Sequence, residues 1–219
     1  MHTIYNLVSG PLVWVSVILF LGGSLGKLIY WGVLTKKKDN VVLAYASPYF
    51  GARSILHWIT PFASENMRRH PYLTVVSFIF HICVLLLPIF VLGHVVLIDE
   101  AWGVSWPHLP EGTADMMTLL VIASCIFFLV RRLVEPEVKF LTGPSDFFIL
   151  LMVAAPFITG FWAYHHWAGF RVMGILHILS GEILLAAIPF TRLSHMIFFP
   201  FTRAYMGSEF GGVRHAKDW

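Results

Sequence analysis

Charged residues are scarce in this chain, and cysteine is almost absent. Lys, Arg, Asp and Glu make up 12% of the 219 residues, whereas apolar and aromatic residues make up 58%. Soluble domains carry about 25% charged residues, so this composition indicates a membrane protein. The two cysteines, Cys83 and Cys125, both lie in apolar stretches. They cannot supply a disulfide framework, a ferredoxin-type cluster site or a site for covalent attachment of haem.

Five stretches are apolar and long enough to cross a hydrocarbon core of about 30 Å. The N-terminal residues lack the positive start and cleavage site of a signal peptide, so the first stretch is kept as a span. The five stretches cover approximately residues 11–33, 72–98, 116–134, 145–168 and 172–197. The sequence therefore predicts an all-α membrane protein with five transmembrane helices in a single domain, residues 1–219.

Lys and Arg alternate between the loops. They are present in residues 34–71, after the third span and after the last span, and they are absent from residues 99–115. The positive-inside rule then places the N-terminus outside and the C-terminus in the cytoplasm of a bacterial inner membrane. The loop 34–71 mixes basic, aromatic and apolar residues. It is predicted to be an amphipathic helix along the cytoplasmic interface or a docking surface for a partner.

The last apolar stretch carries two histidines, His177 and His195, which are 18 residues apart. On one unbroken helix that separation is five turns and about 27 Å, so both imidazoles would share a face, one near each membrane surface. Polar groups in a membrane are costly and often functional. The pair is compatible with two bound haems, or with two interhelical hydrogen bonds.

The second stretch runs in the opposite direction and carries His81 and His94. We therefore expect His81 to meet His195 on the cytoplasmic side and His94 to meet His177 on the outer side. An ideal helix would place His81 and His94 on different faces. Pro88 lies between them, and a kink there could turn His94 toward His177.

Four further polar side chains in or near the spans each have two interpretations. Lys27 either reaches the cytoplasmic surface or contacts a cofactor carboxylate. Glu182 is either a hydrogen-bonded helix contact or a proton acceptor beside the outer cofactor. His165 and His166 are either interfacial or one of them replaces His94 as a ligand.

Arg131 and Arg132 end the third span at its cytoplasmic side. They either stop the helix at the interface or pair with anionic haem propionates, since Arg pairs well with carboxylates.

Several motifs together carry a resemblance to a known family. They are Arg131-Arg132-Leu133 with Pro136, Val138, Thr142-Gly143 and Asp146, the run from Pro189 to His195, Phe80-His81-Ile82, and the spacing of His177 and His195. The chain resembles the gamma subunit of respiratory nitrate reductase, a five-span membrane cytochrome with two b haems. The resemblance covers most of the chain and is densest from the third span onward.

The resemblance implies two non-covalent b haems. His81 and His195 would bind the cytoplasmic-side haem iron, and His94 and His177 the outer one. The chain departs from the nitrate reductase subunit because His81 and His94 are about one turn further apart, the first loop is longer and the last outer loop is shorter. These features are more similar to cytochrome subunits of membrane redox complexes in sulfate-reducing bacteria.

We therefore expect an electron-transfer subunit of a respiratory oxidoreductase complex. Its donor would be a quinol such as menaquinol or a periplasmic multihaem cytochrome, and its acceptor a cytoplasmic iron–sulfur subunit, with other membrane subunits alongside. The chain has no ligand set for an iron–sulfur cluster or molybdenum, so no complete substrate site is expected. The alternative is a proton or metal transporter that uses the intramembrane histidines. An odd number of spans without an internal repeat argues against that alternative.

Overall fold

A computed structural model describes residues 2–38 and 44–219. These residues form helices, turns and loops, and no strand occurs among them. The α-helices are α1 (His2–Leu7), α2 (Val13–Lys38), α3 (Pro48–Ile59), α4 (Glu65–Arg69), α5 (Pro71–Phe90), α6 (Leu92–Trp102), α7 (Glu111–Val134), α8 (Pro136–Phe140), α9 (Pro144–Tyr164), α10 (Phe170–Ala187) and α11 (His195–Met206). Turns of π-helix cover Val8–Leu12 and Gly207–Val213, and turns of 3-10 helix cover Ile188–Phe190 and Arg192–Ser194.

Five helical stretches are long and apolar enough to cross a membrane, as the sequence predicts. They are Thr3–Lys38, Pro71–Trp102, Glu111–Val134, Pro144–Tyr164 and Phe170–Phe190. The all-helical, multi-pass architecture is therefore confirmed within the described residues. The direction in which the spans cross the membrane stays a prediction.

The last predicted span is not one helix. Helix α10 ends at Ala187, Thr191 is extended (φ −117°, ψ −176°), and α11 begins at His195. Pro189 has no backbone N–H and so weakens the helix at this point. The expectation of an unbroken helix through both His177 and His195 is therefore wrong, and the five-turn relation between them does not hold.

The chain divides into two compact units, residues 75–181 and residues 1–74 with 182–219. In the unit of residues 75–181, helices α5, α7 and α9 contribute to one apolar core. Its buried residues are Cys83, Leu87, Val121, Cys125 and Ala154. Both cysteines are free thiols buried in that core, where they act as small apolar groups.

In the other unit, α3 packs closely against α11 and the π-helical turn after it. Small residues make this approach possible. A Cβ added to Gly207 would lie 2.4 Å from the carbonyl oxygen of Phe50, and one added to Gly51 would lie 3.2 Å from the Cβ of Ala204. Helix α3 lies in the segment where the sequence predicts an amphipathic helix; residues 39–43 of that segment lie outside the described residues.

Residues 214–219 fold back onto this pair of helices. Trp219 is 8% exposed, and the guanidinium of Arg53 lies 4.1 Å from the centre of its ring. The carboxylate of Asp218 accepts hydrogen bonds from the backbone N–H of Glu65 and from Nε2 of His57, both at 2.9 Å. The Glu65 N–H, and after it the His57 imidazole, hold the pKa of Asp218 below its ordinary value of 3.8.

The contacts of Asp218 predict that residues 214–219 detach from the helices at acid pH. A carboxyl whose pKa is lowered by folding stabilises the folded form above pH 3.8 and loses that contribution as the pH falls through the lowered value. Amide hydrogen exchange at Glu65 should therefore be slow at about pH 6 and, after correction for intrinsic rates, poorly protected at an acid pH below the lowered pKa of Asp218. Asp218→Asn should be poorly protected at both pH values, and Lys217→Gln should behave like the wild type. Equal protection in wild type and Asp218→Asn at about pH 6 would contradict this account.

Candidate functional site

The second span breaks at Val91, whose ψ of 132° ends α5 inside an apolar stretch. A break in a membrane helix leaves carbonyl oxygens without helical donors, and lipid cannot replace them. Here the chain supplies donors of its own. The Ile89 carbonyl accepts from Nε1 of Trp106 at 2.9 Å, and the Phe90 carbonyl accepts from the N–H of Leu109 at 2.8 Å.

His94 supplies the donor for a third carbonyl at this break. Its Nδ1 lies 2.8 Å from the carbonyl oxygen of Pro88. Nδ1 therefore carries the proton, and Nε2 is left with a lone pair that can bind a metal. Pro88 itself lies inside α5, and the backbone departs from the helix three residues later, at Val91.

His177 is fixed in the same manner from a neighbouring span. Its Nδ1 lies 2.8 Å from the carbonyl oxygen of Pro156 on α9, so its Nε2 is also the free ligand atom. The ring lies very close to α9 at Gly160. A Cβ added to Gly160 would be 2.7 Å from Nδ1 of His177, so the ring has room only because this residue is glycine.

His94 and His177 lie close together in the unit of residues 75–181. Their ring centres are 5.9 Å apart, and their planes differ by 16°. Two imidazoles bound to one iron at about 2 Å each have ring centres about 6 Å apart. The distance between the two ring centres therefore matches that of two imidazoles on one haem iron.

The other predicted ligands, His81 and His195, also have their Nδ1 atoms against backbone carbonyls. His81 Nδ1 lies 2.6 Å from the carbonyl oxygen of Ser77, and His195 Nδ1 lies 2.9 Å from that of Arg192. In each ring the carbonyl favours the tautomer with its proton on Nδ1. The two histidines lie in different units of the chain, and their pairing stays a prediction.

His165 and His166, the two residues that could replace His94 as a ligand, have contacts of their own. His165 Nε2 lies 3.3 Å from a carboxylate oxygen of Asp115, and His166 Nδ1 lies 2.9 Å from the carbonyl oxygen of Tyr164. The ring that lies beside His177 is that of His94. His94 is therefore the better candidate for the outer ligand.

Arg131 and Arg132 are engaged by carboxylates of the chain itself. Arg131 Nε lies 2.6 Å from Glu135, and Arg132 lies 3.1 Å from Asp146, which is only 7% exposed. Asp146 also accepts a hydrogen bond from the N–H of Gly143 at the start of α9. Both arginines thus stabilise the turn between the third and fourth spans. Their proposed contact with haem propionates stays a prediction.

Lys27 contacts the chain itself, and its reach to the cytoplasmic surface stays a prediction. Its Nζ donates to the carbonyl oxygen of Pro189 at 3.1 Å and to Oγ of Ser194 at 2.9 Å. Glu182 is 9% exposed, and neither of its carboxyl oxygens has a hydrogen-bond partner among the described residues. This finding argues against the helix contact for Glu182, and its role as a proton acceptor stays a prediction.

Sequence reasoning missed the residues that support the histidine pair. Trp106 lies in the loop after α6, and nothing in its sequence position shows that its ring nitrogen reaches the break. Gly160 gives a weak signal, since a lone glycine in a membrane helix often marks a close approach between helices. The partner in that approach cannot be read from the sequence.

No group of three or more His, Cys, Asp or Glu side chains within residues 2–38 and 44–219 is arranged to hold a metal ion. A haem iron is held by its macrocycle and needs only axial ligands from the protein, so two histidines suffice for it.

The fold and the histidine pair define a helical, multi-pass membrane protein. The chain belongs to the family of a protein from Nitratidesulfovibrio vulgaris strain Hildenborough, whose name, "Protein", states no activity. The two sequences are 38% identical over 210 residues, which cover 94% of this chain and 93% of that protein. No family model and no solved structure matches the chain. The resemblance to the nitrate reductase gamma subunit therefore stays a prediction.

Substitution of Gly160 should disturb His177 specifically. The added methyl group of Gly160→Ala must displace the ring or the helix, and such overpacking costs about 1–3 kcal/mol. Gly174→Ala is the matched control, because a Cβ at Gly174, on the helix that carries His177, meets nothing within 4 Å. Thermal unfolding in detergent should show destabilisation for Gly160→Ala and little change for Gly174→Ala. Equal behaviour of the two variants would contradict the close approach.

Proposed function

We propose that this protein is a dihaem b cytochrome, the membrane-embedded electron-transfer subunit of a respiratory oxidoreductase complex in a bacterial inner membrane. The observation that supports it best is the His94–His177 pair, with ring centres 5.9 Å apart and both Nδ1 atoms held by backbone carbonyls. Haem takes two imidazoles from neighbouring helices and, when bound, supplies one-electron redox chemistry.

In this function the protein would hold the haem, orient its histidine ligands and shield it from water. The carbonyls of Pro88 and Pro156 fix the tautomer and raise the basicity of the ligand nitrogens. The apolar spans around them exclude water and lower the local dielectric, which tunes a redox potential. His81 and His195 would hold the second haem. Two sites are needed because one could not connect the two sides of about 30 Å of hydrocarbon.

The partners are proposed from the charge of the loops. With the N-terminus outside, the basic segments face the cytoplasm and offer a docking surface to an iron–sulfur subunit. The loop 99–115 has no Lys or Arg and several acids, which suits a basic multihaem cytochrome, while a quinol such as menaquinol could enter beside His177. Electrons would enter on the side of His94 and His177 and leave on the side of His81 and His195.

The family relative favours one of the two donors. It comes from a sulfate-reducing bacterium, in keeping with the similarity of this chain to the cytochrome subunits of sulfate-reducer redox complexes. We therefore place a periplasmic multihaem cytochrome ahead of quinol as the donor.

The transporter alternative draws support from the broken spans, because transporters use broken helices whose free carbonyls coordinate ions. In this chain three carbonyls at the first break, those of Pro88, Ile89 and Phe90, already accept hydrogen bonds from the protein. They are therefore poorly suited to bind an ion, which favours the cytochrome.

The purified protein should contain about two haems per chain, because each iron takes two of the four histidines. His94→Ala and His177→Ala should each lose the same haem, and His81→Ala and His195→Ala the other. Haem content by pyridine haemochrome assay, together with the spectrum of the dithionite-reduced protein, measures this directly.

His108→Ala serves as the control, since His108 is exposed in the loop before α7 and its Nδ1 lies against the adjacent carbonyl of Leu109. It should retain both haems. If His94→Ala also retained both, the outer ligand would have to be His165 or His166. A wild-type protein without haem would contradict the proposal and favour the transporter.

The donor can be identified by mixing the haem-loaded protein with a menaquinol analogue or with a reduced periplasmic multihaem cytochrome and following haem reduction. We expect rapid reduction by the cytochrome. Rapid reduction by quinol alone would contradict our choice of donor. In His177→Ala the remaining haem should be reduced slowly, because the entry site is gone; an unchanged rate would contradict the two-site path.

A further inference from the structure

Lys27 lies half-buried in a candidate membrane span, and its ammonium group has several contacts within the chain. Besides its hydrogen bonds to Pro189 and Ser194, Nζ lies 5.5 Å from the ring centre of Trp31 and 5.4 Å from that of Phe198. Phe198 is 1% exposed, and its ring centre is 4.7 Å from that of Trp31. Two hydrogen bonds and two aromatic faces thus stabilise the charge of Lys27 within the span.

The hydrogen bond from Lys27 satisfies the Pro189 carbonyl, which loses its helical donor at the second break. In a continuing helix the Pro189 carbonyl would accept from the N–H of Leu193, but that N–H bonds Oγ1 of Thr191 instead, at 3.2 Å. Lys27 supplies the missing donor. Its second acceptor, Ser194, is the last residue before α11, so Lys27 links both ends of the turn from Pro189 to Ser194.

Gly23 brings α2 close enough for this contact. It lies one helical turn before Lys27, on the same face. A Cβ added to Gly23 would be 2.7 Å from the ring of Phe190 and 2.8 Å from the ring of Pro189. The glycine and the lysine therefore form one face of α2 that is fitted to the broken segment.

We propose that Lys27 is a positioning residue for His195. This inference rests on the proposed function, in which His195 binds haem iron. His195 is the first residue of α11, and its Nδ1 bonds the carbonyl of Arg192, within the turn that Lys27 links. By fixing that turn, Lys27 sets the direction of the imidazole. Its positive charge, held one residue from His195, also stabilises the added electron and so raises the reduction potential there.

The test compares Lys27→Met, which keeps the length of the side chain and removes the donor and the charge, with Lys27→Arg, which keeps the charge. Lys37→Met is the matched control, because Lys37 is an exposed lysine at the end of the same helix. Redox titration and electron paramagnetic resonance of each purified protein report the potential and the ligation of each haem. Neither readout depends on turnover.

In Lys27→Met we expect the haem of His195 to be lost in part, or to titrate at a lower potential with an altered low-spin signal. Lys27→Arg should restore the potential at least in part, and Lys37→Met should match the wild type. Ser194→Ala, which removes one acceptor and no charge, should alter the low-spin signal with a smaller change in potential. It also provides a test if Lys27→Met does not fold.

Variants that each lack one haem show which of the two haems responds to the substitution of Lys27. Lys27→Met should shift the remaining haem in His177→Ala and leave the remaining haem unchanged in His195→Ala. Wild-type potentials and signals in both Lys27→Met and Ser194→Ala would overturn the inference and leave the proposed function intact. A wild-type protein without haem would overturn the proposed function, and this inference with it.

Discussion

A backbone carbonyl in the hydrocarbon of a membrane must receive a hydrogen bond from the protein, and the rest of this structure depends on that constraint. The chain breaks two of its spans, at Val91 and after Ala187. At each break a side chain donates to a carbonyl that the helix has released: His94 to Pro88 at the first and Lys27 to Pro189 at the second. Each break is therefore stabilised by a hydrogen bond from a side chain of the same unit.

The same constraint determines the tautomer of the histidine rings. An imidazole that donates Nδ1–H to a carbonyl keeps a lone pair on Nε2, so the bond that stabilises the backbone also prepares a ligand atom. His81, His94, His177 and His195 all have this arrangement. His166 has it too, so the arrangement alone does not identify a ligand. Proximity of two such rings, as for His94 and His177, supports the proposal that they bind one iron.

Much of the fold could be predicted from the sequence, because long apolar runs and the scarcity of charge are sufficient to define five spans. The meeting of His94 with His177 could be predicted from span direction and from Pro88. The break before His195 could not, although Pro189 was visible, because a proline in a helix either kinks or ends it depending on the available donors. Here the donor to the Pro189 carbonyl is Lys27, which is 162 residues away in the sequence. Gly160 and Trp106 act through similar long-range contacts that no local pattern contains.

The central claim is that His94 and His177 hold one haem iron between them. A cryo-electron microscopy map of the purified protein tests this claim most directly. The account predicts the flat density of a macrocycle between the two rings, with the Nε2 atom of each ring directed at its centre and each Nδ1 against its backbone carbonyl. A map with no density between the rings, or with a macrocycle bound by other side chains, would contradict it.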